Sequence, residues 1–205
     1  ISSELNAKNK RFILKNLNEN MKFSRFENSF IWLKEAGVAL PTFSVEEPVA
    51  PLVLSRSRNL FKLFQSDVGL LASLYAEGIQ TRILDNDPDI NFGAIYENFV
   101  AQELQAHGFG LYYFNSKKQG EVDFIVEKSG SAMPIEVKSG KSYQRHRALS
   151  NIMADSTYRI REALVLSGAN VSTEGNTKYL PIYMLMFLHR EESIDLLYKV
   201  DLPTL

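Results

Sequence analysis

At 205 residues the chain holds one domain of ordinary size or two small ones, and 45% hydrophobic with 23% charged residues excludes wholesale disorder. It contains no cysteine, which excludes a disulfide framework, a thiolate zinc site and a cysteine nucleophile, and suits a reducing cytoplasm. A formal net charge of −1 favours neither a polyanionic nor a cationic partner, so any such contact must come from how the charge is distributed.

The first ten residues, ISSELNAKNK, lack the apolar core of a signal peptide, and there is no initiator methionine, so we expect a piece of a longer protein. Residues 5–17 read as a helix carrying Leu5, Phe12, Ile13, Leu14 and Leu17. Ser24-Arg25-Phe26-Glu27 is a capping box that opens a second helix through Phe30, Ile31 and Leu33, stopped by Gly37. Pro41, Pro48 and Pro51 break residues 38–54 into short extended pieces. Residues 58–77 are mixed. Two helices and a short β-wing make a winged-helix-like α+β unit over residues 1–85, with Lys8, Lys10, Arg11, Lys15, Lys22 and Arg25 as its charge. Such a unit either docks on DNA or packs against a neighbouring domain.

Asp85-Asn86-Asp87-Pro88-Asp89 imitates the start of a calcium loop. That loop needs glycine sixth and glutamate twelfth, where this chain has Ile90 and Tyr96, so the stretch reads as a turn and helix cap. Residues 92–107 then form a helix with an apolar stripe of Ile95, Phe99, Val100 and Leu104, ended by Gly108. Glu97 shares a face with Val100, Ala101 and Leu104, and a carboxylate buried there needs a partner. Glu103 lies round the helix and is expected in solvent. Residues 111–114 read as a strand.

Residues 120–141, GEVDFIVEKSGSAMPIEVKSGK, read as a hairpin. Val122, Phe124 and Val126 alternate with Glu121, Asp123 and Ile125, and Ile135 and Val137 alternate with Glu136 and Lys138. With Ser129-Gly130 as the two-residue turn, Asp123 falls opposite Glu136, Val122 opposite Val137 and Phe124 opposite Ile135. Two carboxylates about 5 Å apart repel by roughly 1 kcal/mol in water and about 3 kcal/mol at an effective dielectric of about 20. A divalent cation shared by both, with Lys138 alongside, removes the conflict. The alternative is a solvated face that Lys138 partly neutralises.

Downstream, residues 145–158 form a helix with Leu149, Ile152 and Met153, and residues 163–166 a buried strand. Residues 170–178 read as a polar loop, and Pro181 as the first turn of a last helix through Met184 and Leu188. The longest apolar run, residues 179–188, is half of the roughly 20 residues a membrane span needs, so no membrane partner is expected. Between Lys138 and Arg161 stand six basic residues (Lys138, Lys141, Arg145, Arg147, Arg159, Arg161) and only Asp155 as an acid, a flank suited to a polyanion or simply a solvated face. Glu191, Glu192, Asp195 and Asp201 tip the tail the other way.

The order from residue 92, helix-strand-strand-strand-helix-strand, has Glu97 on the first helix, Asp123 on the second strand and Glu136-Val137-Lys138 on the third. It resembles the PD-(D/E)xK nuclease superfamily. The text Gly93-Ala94-Ile95-Tyr96-Glu97-Asn98-Phe99, then Glu121-Val122-Asp123-Phe124-Ile125, then Pro134-Ile135-Glu136-Val137-Lys138-Ser139-Gly140, is similar to one branch. That branch is a domain of unknown function following the ATPase module of many bacterial and archaeal AAA-type ATP-binding proteins. The resemblance covers residues 90–190 and implies an α/β restriction-endonuclease-like core, a mixed sheet flanked by helices, over residues 86–205.

What it implies chemically is a candidate cytoplasmic endonuclease acting on DNA with Mg²⁺ or Mn²⁺. Glu97, Asp123, Glu136 and the Val137 carbonyl would hold the ion, and Lys138 would orient the attacking water and offset charge at phosphorus. Tyr143, Gln144, Arg145 and Arg147 would hold flanking phosphates. His107, His146 and His189 lack metal-ligand spacing. The alternative is an inactive nuclease fold serving an ATPase as a DNA- or protein-binding or regulatory module. Ser139-Gly140-Lys141-Ser142 mimics the tail of a phosphate loop, but its first glycine would stand where Ile135 is. The ATPase partner is therefore expected elsewhere on the same polypeptide.

Overall fold

The computed structural model describes residues 27–190. The helix expected over residues 5–17, Ser24 of the capping box, the basic residues from Lys8 to Arg25 and the acidic tail lie outside them. Within them, five helices and eight strands are arranged around one sheet: α1 (Glu27–Glu35), β1 (Ala39–Val45), β2 (Arg56–Gln65), α2 (Val68–Ser73), α3 (Ile79–Leu84), α4 (Phe92–Ala106), β3 (Tyr112–Ser116), β4 (Gly120–Lys128), β5 (Ser131–Val137), α5 (Arg147–Ala154), β6 (Ala163–Ser167), β7 (Ser172–Glu174) and β8 (Thr177–Pro181). The strand order is β2-β1-β3-β4-β5-β6-β8-β7, a mixed sheet with parallel contacts at β1–β3, β5–β6 and β6–β8. The order α4-β3-β4-β5-α5-β6 is the one expected from residue 92 onward.

Periodicity places the two main layers. Ala94, Val100, Ala101 and Leu104 of α4 pack on Phe124, Val126, Met133, Ile135, Leu164 and Leu166 on one face. Leu149 and Ile152 of α5 pack on Phe114, Val122, Ile125, Ala132 and Val165 on the other. Each fully buried Val, Leu, Ile, Phe or Met side chain among them contributes about 1.5–3 kcal/mol. Gly120 opens β4 at φ 99°, and a Cβ there would lie 3.0 Å from the Ala148 methyl, so glycine lets α5 close on the sheet. Among the described residues, no helix is long and apolar enough to cross a membrane.

Several expectations need correction. The extended pieces read as a wing within residues 38–77 are strands at the edge of this sheet: β2 pairs antiparallel with β1, and β1 runs parallel to β3. The polar loop at 170–178 is a hairpin, with Gly175 at φ 55° joining β7 to β8. Pro181 ends β8, and the turn after it, Ile182–Phe187, is a 3-10 helix. Polar composition hid β7 because all three of its residues are exposed at the sheet edge. Glu103 is half-buried, so it is only partly in solvent.

The hairpin turn is as expected. Lys128 pairs with Ser131, and Ser129 and Gly130 form the two-residue loop with φ 49° and 69°. Phe124 lies opposite Ile135, but the ladder ends there and Val122 does not pair with Val137. The cause is on the other edge of β4. Tyr112 pairs with Ile125 and Phe114 with Val122, so Asp123 and Phe124 together oppose Tyr113. That extra residue is a β-bulge, and it turns Val122 to the opposite core from Phe124 and Val126.

Candidate acidic site

The bulge falls on Asp123, where it re-aims a side chain. Carboxylate Oδ2 of Asp123 accepts a 2.9 Å hydrogen bond from the Val137 backbone N–H, which the regular ladder would have given to a β4 carbonyl. Asp123 thereby bridges the open ends of β4 and β5 and is 8% exposed. Glu136, one residue before Val137, is 6% exposed and sits in register with Val165 of β6.

Helix α4 supplies the third acid. The Asn91 side chain caps it by accepting from the Gly93 N–H at 3.1 Å. One turn on, Glu97 is 2% exposed, buried on its apolar face where the helix pattern alone reads more readily as a surface glutamate. Its neighbour Asn98 fixes the helix to the sheet edge: Oδ1 accepts from the Gln65 N–H at 2.8 Å, and Nδ2 donates to the Gln65 carbonyl at 3.1 Å.

Gln65 lies three residues beyond a side chain that the sequence reading passed over. Lys62 of β2 is wholly buried. Its Nζ lies 2.9 Å from Glu121 Oε1, 3.9 Å from Glu97 Oε2 and 4.0 Å from Asp123 Oδ1, and 5.1 Å from the centroid of the Tyr113 ring. Burial works against its charge, but the Glu97, Asp123 and Glu121 carboxylates outweigh that and raise its pKa. Glu121 also takes a close hydrogen bond from Asn115 Nδ2. The missed signal was a single lysine inside the apolar run Leu60-Phe61-Lys62-Leu63-Phe64, which only a buried counter-charge makes tolerable.

On the other side of the cluster, Lys138 Nζ pairs with Glu136 Oε1 at 2.6 Å, two residues apart on one strand edge. Its backbone N–H continues the β5–β6 pairing by donating to the Leu166 carbonyl. Oε2 of Glu136 is buried and has no hydrogen-bond partner. Burial, and then the Asp123 charge, push the Glu136 carboxyl up to about 7 in spite of Lys138.

The structure thus brings Glu97, Asp123, Glu136 and Lys138 into one electrostatic cluster and adds Lys62 and Glu121. Among the described residues, however, no group of three or more His, Asp or Glu side chains is set to hold a metal ion as it stands. By donor type the acids suit a hard divalent cation, and the orphaned Glu136 oxygen is the atom such an ion would satisfy. The ammonium of Lys62 takes up the side of the cluster formed by Glu97, Asp123 and Glu121.

The candidate phosphate contacts follow Lys138 in the loop to α5 and at its first residue, Arg147. Gln144, Arg145 and Arg147 are exposed, whereas Tyr143 is half-buried and packs edge-on against Tyr179 at 5.8 Å. His146 Nε2 lies 2.8 Å from the Tyr179 hydroxyl, and the His107 and His189 rings meet tilted at 50° with centroids 4.9 Å apart, so both have structural partners. The residue 85–89 stretch is a turn in which Asp87 accepts from the Asp89 N–H and pairs with Arg82.

Comparison with known proteins reaches the same part of the chain. The sequence model of DUF4143, a domain of unknown function, matches residues 92–185, a span that contains Glu97, Asp123, Glu136 and Lys138 but not Lys62. Uncharacterized protein Mb2031c of Mycobacterium bovis and Uncharacterized protein Rv2008c of Mycobacterium tuberculosis are each 32% identical over 103 residues, 49% of this chain. The match spans 22% of the length of each relative. No solved structure matches the chain. The chain is therefore similar to DUF4143 over the segment that carries all four acids, Glu97, Glu121, Asp123 and Glu136, and Lys138.

Proposed function

We propose that the chain carries a PD-(D/E)xK nuclease-like domain with a restriction-endonuclease-like core, working on DNA by metal-dependent phosphodiester hydrolysis beside an AAA-type ATPase module. The observation that carries the reading is the buried Oε2 of Glu136, without a hydrogen-bond partner and under the influence of the Asp123 and Glu97 charges. Asp123 and Glu136 lie close enough for the Asp123 charge, with that of Glu97, to raise the Glu136 carboxyl, and a divalent cation would relieve that repulsion. The order α4-β3-β4-β5-α5-β6 and the similarity over residues 92–185 support the same reading.

Glu97, Asp123, Glu136 and the Val137 carbonyl are the groups that would hold Mg²⁺ or Mn²⁺. When bound, the ion supplies Lewis-acid polarisation of a phosphoryl oxygen and lowers the pKa of water. The protein's own part is positional. Asp123 is fixed by the Val137 N–H, and Lys138 is held by Glu136 where its ammonium can offset charge building on phosphorus. The exposed Gln144, Arg145 and Arg147, with the edge of Tyr143, would take the flanking phosphates.

One observation favours a second reading, an inactive nuclease fold that binds DNA or protein and regulates an ATPase: Lys62 already neutralises part of the cluster without any ion. Plasmid nicking in Mg²⁺ and in Mn²⁺ separates the two. Metal-dependent nicking that is lost in both Glu136→Gln and Lys138→Ala supports the enzyme. Plasmid left intact by the folded parent in either metal supports the binding module.

A further inference from the structure

The acidic cluster contains a cation of its own, and the position of that cation has a consequence for any other. Lys62 is on β2, where its backbone pairs with Thr42 of β1, and the strand's end is clamped by Asn98 of α4. The ammonium has no exposed surface. The whole residue is buried as well, so the lysine does not reach solvent as a surface lysine does. Two of its three carboxylate partners, Glu97 and Asp123, are also two of the three acids put forward above as ligands. A carboxylate oxygen facing an ammonium has less attraction left for a second cation, and the two cations repel through a partly dehydrated medium where screening is weak.

We propose that Lys62 is an internal competitor of the divalent cation: its ammonium holds the Glu97 and Asp123 side of the cluster, sets the affinity for the ion, and yields those carboxylates when the ion enters. This rests on reading the cluster as a cation site. It accounts for how four carboxylates, three of them less than a tenth exposed, fold together without an ion. It also explains why no ready-made metal shell stands among the described residues although the donors for one are present. Lys62 is then a positioning residue and not a catalytic one, acting on the chemistry only through the acids it holds.

The test is calorimetric titration of MnCl₂ into the 205-residue chain and into Lys62→Met and Lys62→Gln, with melting curves in EDTA and in Mn²⁺. Both variants should bind Mn²⁺ at least about tenfold more tightly than the parent, a change of about 1.4 kcal/mol. They should melt lower than the parent in EDTA and gain more from added Mn²⁺. The glutamine variant keeps a polar group for Glu121 and carries the test if the methionine variant does not fold. A merely structural lysine would lower the melting temperature of the variants and leave the Mn²⁺ affinity where it was, which overturns the proposal while the cation site stands. Variants that bind where the parent does not would support it most strongly. Absence of Mn²⁺ binding in the parent and in both variants would overturn the proposal and the cation site together.

Discussion

The Val137 N–H donates to Asp123 Oδ2 across the end of the β4–β5 hairpin, 2.9 Å away. The bulge opposite Tyr113 makes this possible by turning Asp123 out of the ladder register, and the hydrogen bond then replaces the backbone pairing the bulge removes. Asp123→Ala leaves a buried N–H without a partner and should lower stability by about 1–3 kcal/mol. Asp123→Asn keeps an acceptor and relieves the like charge on Glu136, so it should lose less than half as much. Urea unfolding of the two variants beside the parent checks the order, and a larger loss in the asparagine variant would contradict it.

Glu136 gives stability a pH dependence of definite sign. Its carboxyl titrates at about 7 in the folded chain against an ordinary 4.5, first because it is buried and next because Asp123 is charged. Between those values the folded state holds a proton that the unfolded state has released. The stabilisation is therefore complete below the unfolded value and is lost as pH rises through the folded one. Glu136→Gln should flatten the fall in stability between about pH 4.5 and about pH 7. Denaturant midpoints across that window measure it, and identical slopes in parent and variant would remove Glu136 as the source.

Asn98 sets where both Glu97 and Lys62 stand, because it hydrogen-bonds the N–H and the carbonyl of Gln65 on the strand that carries Lys62. Asn98→Ala should cost about 2–4 kcal/mol, since two buried backbone groups lose their partners. Hydrogen exchange should show the Gln65 amide deprotected in the variant before the β5 amides.

The hairpin turn is the most locally determined part of the site. Both Ser129 and Gly130 are left-handed, a conformation that glycine and asparagine tolerate better than serine does. Ser129→Asn should stabilise the chain by about 0.5 kcal/mol, and Gly130→Ala should destabilise it by about 1 kcal/mol. Thermal melts with opposite shifts in the two variants are the expected result.

What could be read in the sequence follows the range of the interactions involved. The α4-β3-β4-β5-α5-β6 order and the turn at Ser129-Gly130 rest on short periodicities and were legible, whereas the helix pattern alone left Glu97 more readily a surface residue than the buried one it is. The bulge at Asp123 was not, because it is visible only in the offset between β3 and β4 and a single strand cannot declare its partner's register. The placement of β1 and β2 in the same sheet depends on a parallel contact across more than sixty residues of chain, from Phe43 to Tyr112. Lys62 was missed for that reason: its counter-charges come from α4 and β4, while its neighbours in sequence are apolar. β7, exposed throughout, carries no apolar alternation to announce it.

The central claim is that Glu97, Asp123 and Glu136 converge on one divalent cation, and crystals soaked in Mn²⁺ test it most directly. The account predicts an anomalous peak within ligand distance of Asp123 and of the orphaned Oε2 of Glu136, absent from crystals of Glu136→Gln. A soaked crystal with full-strength Mn²⁺ at other acidic groups and none between these carboxylates would contradict it.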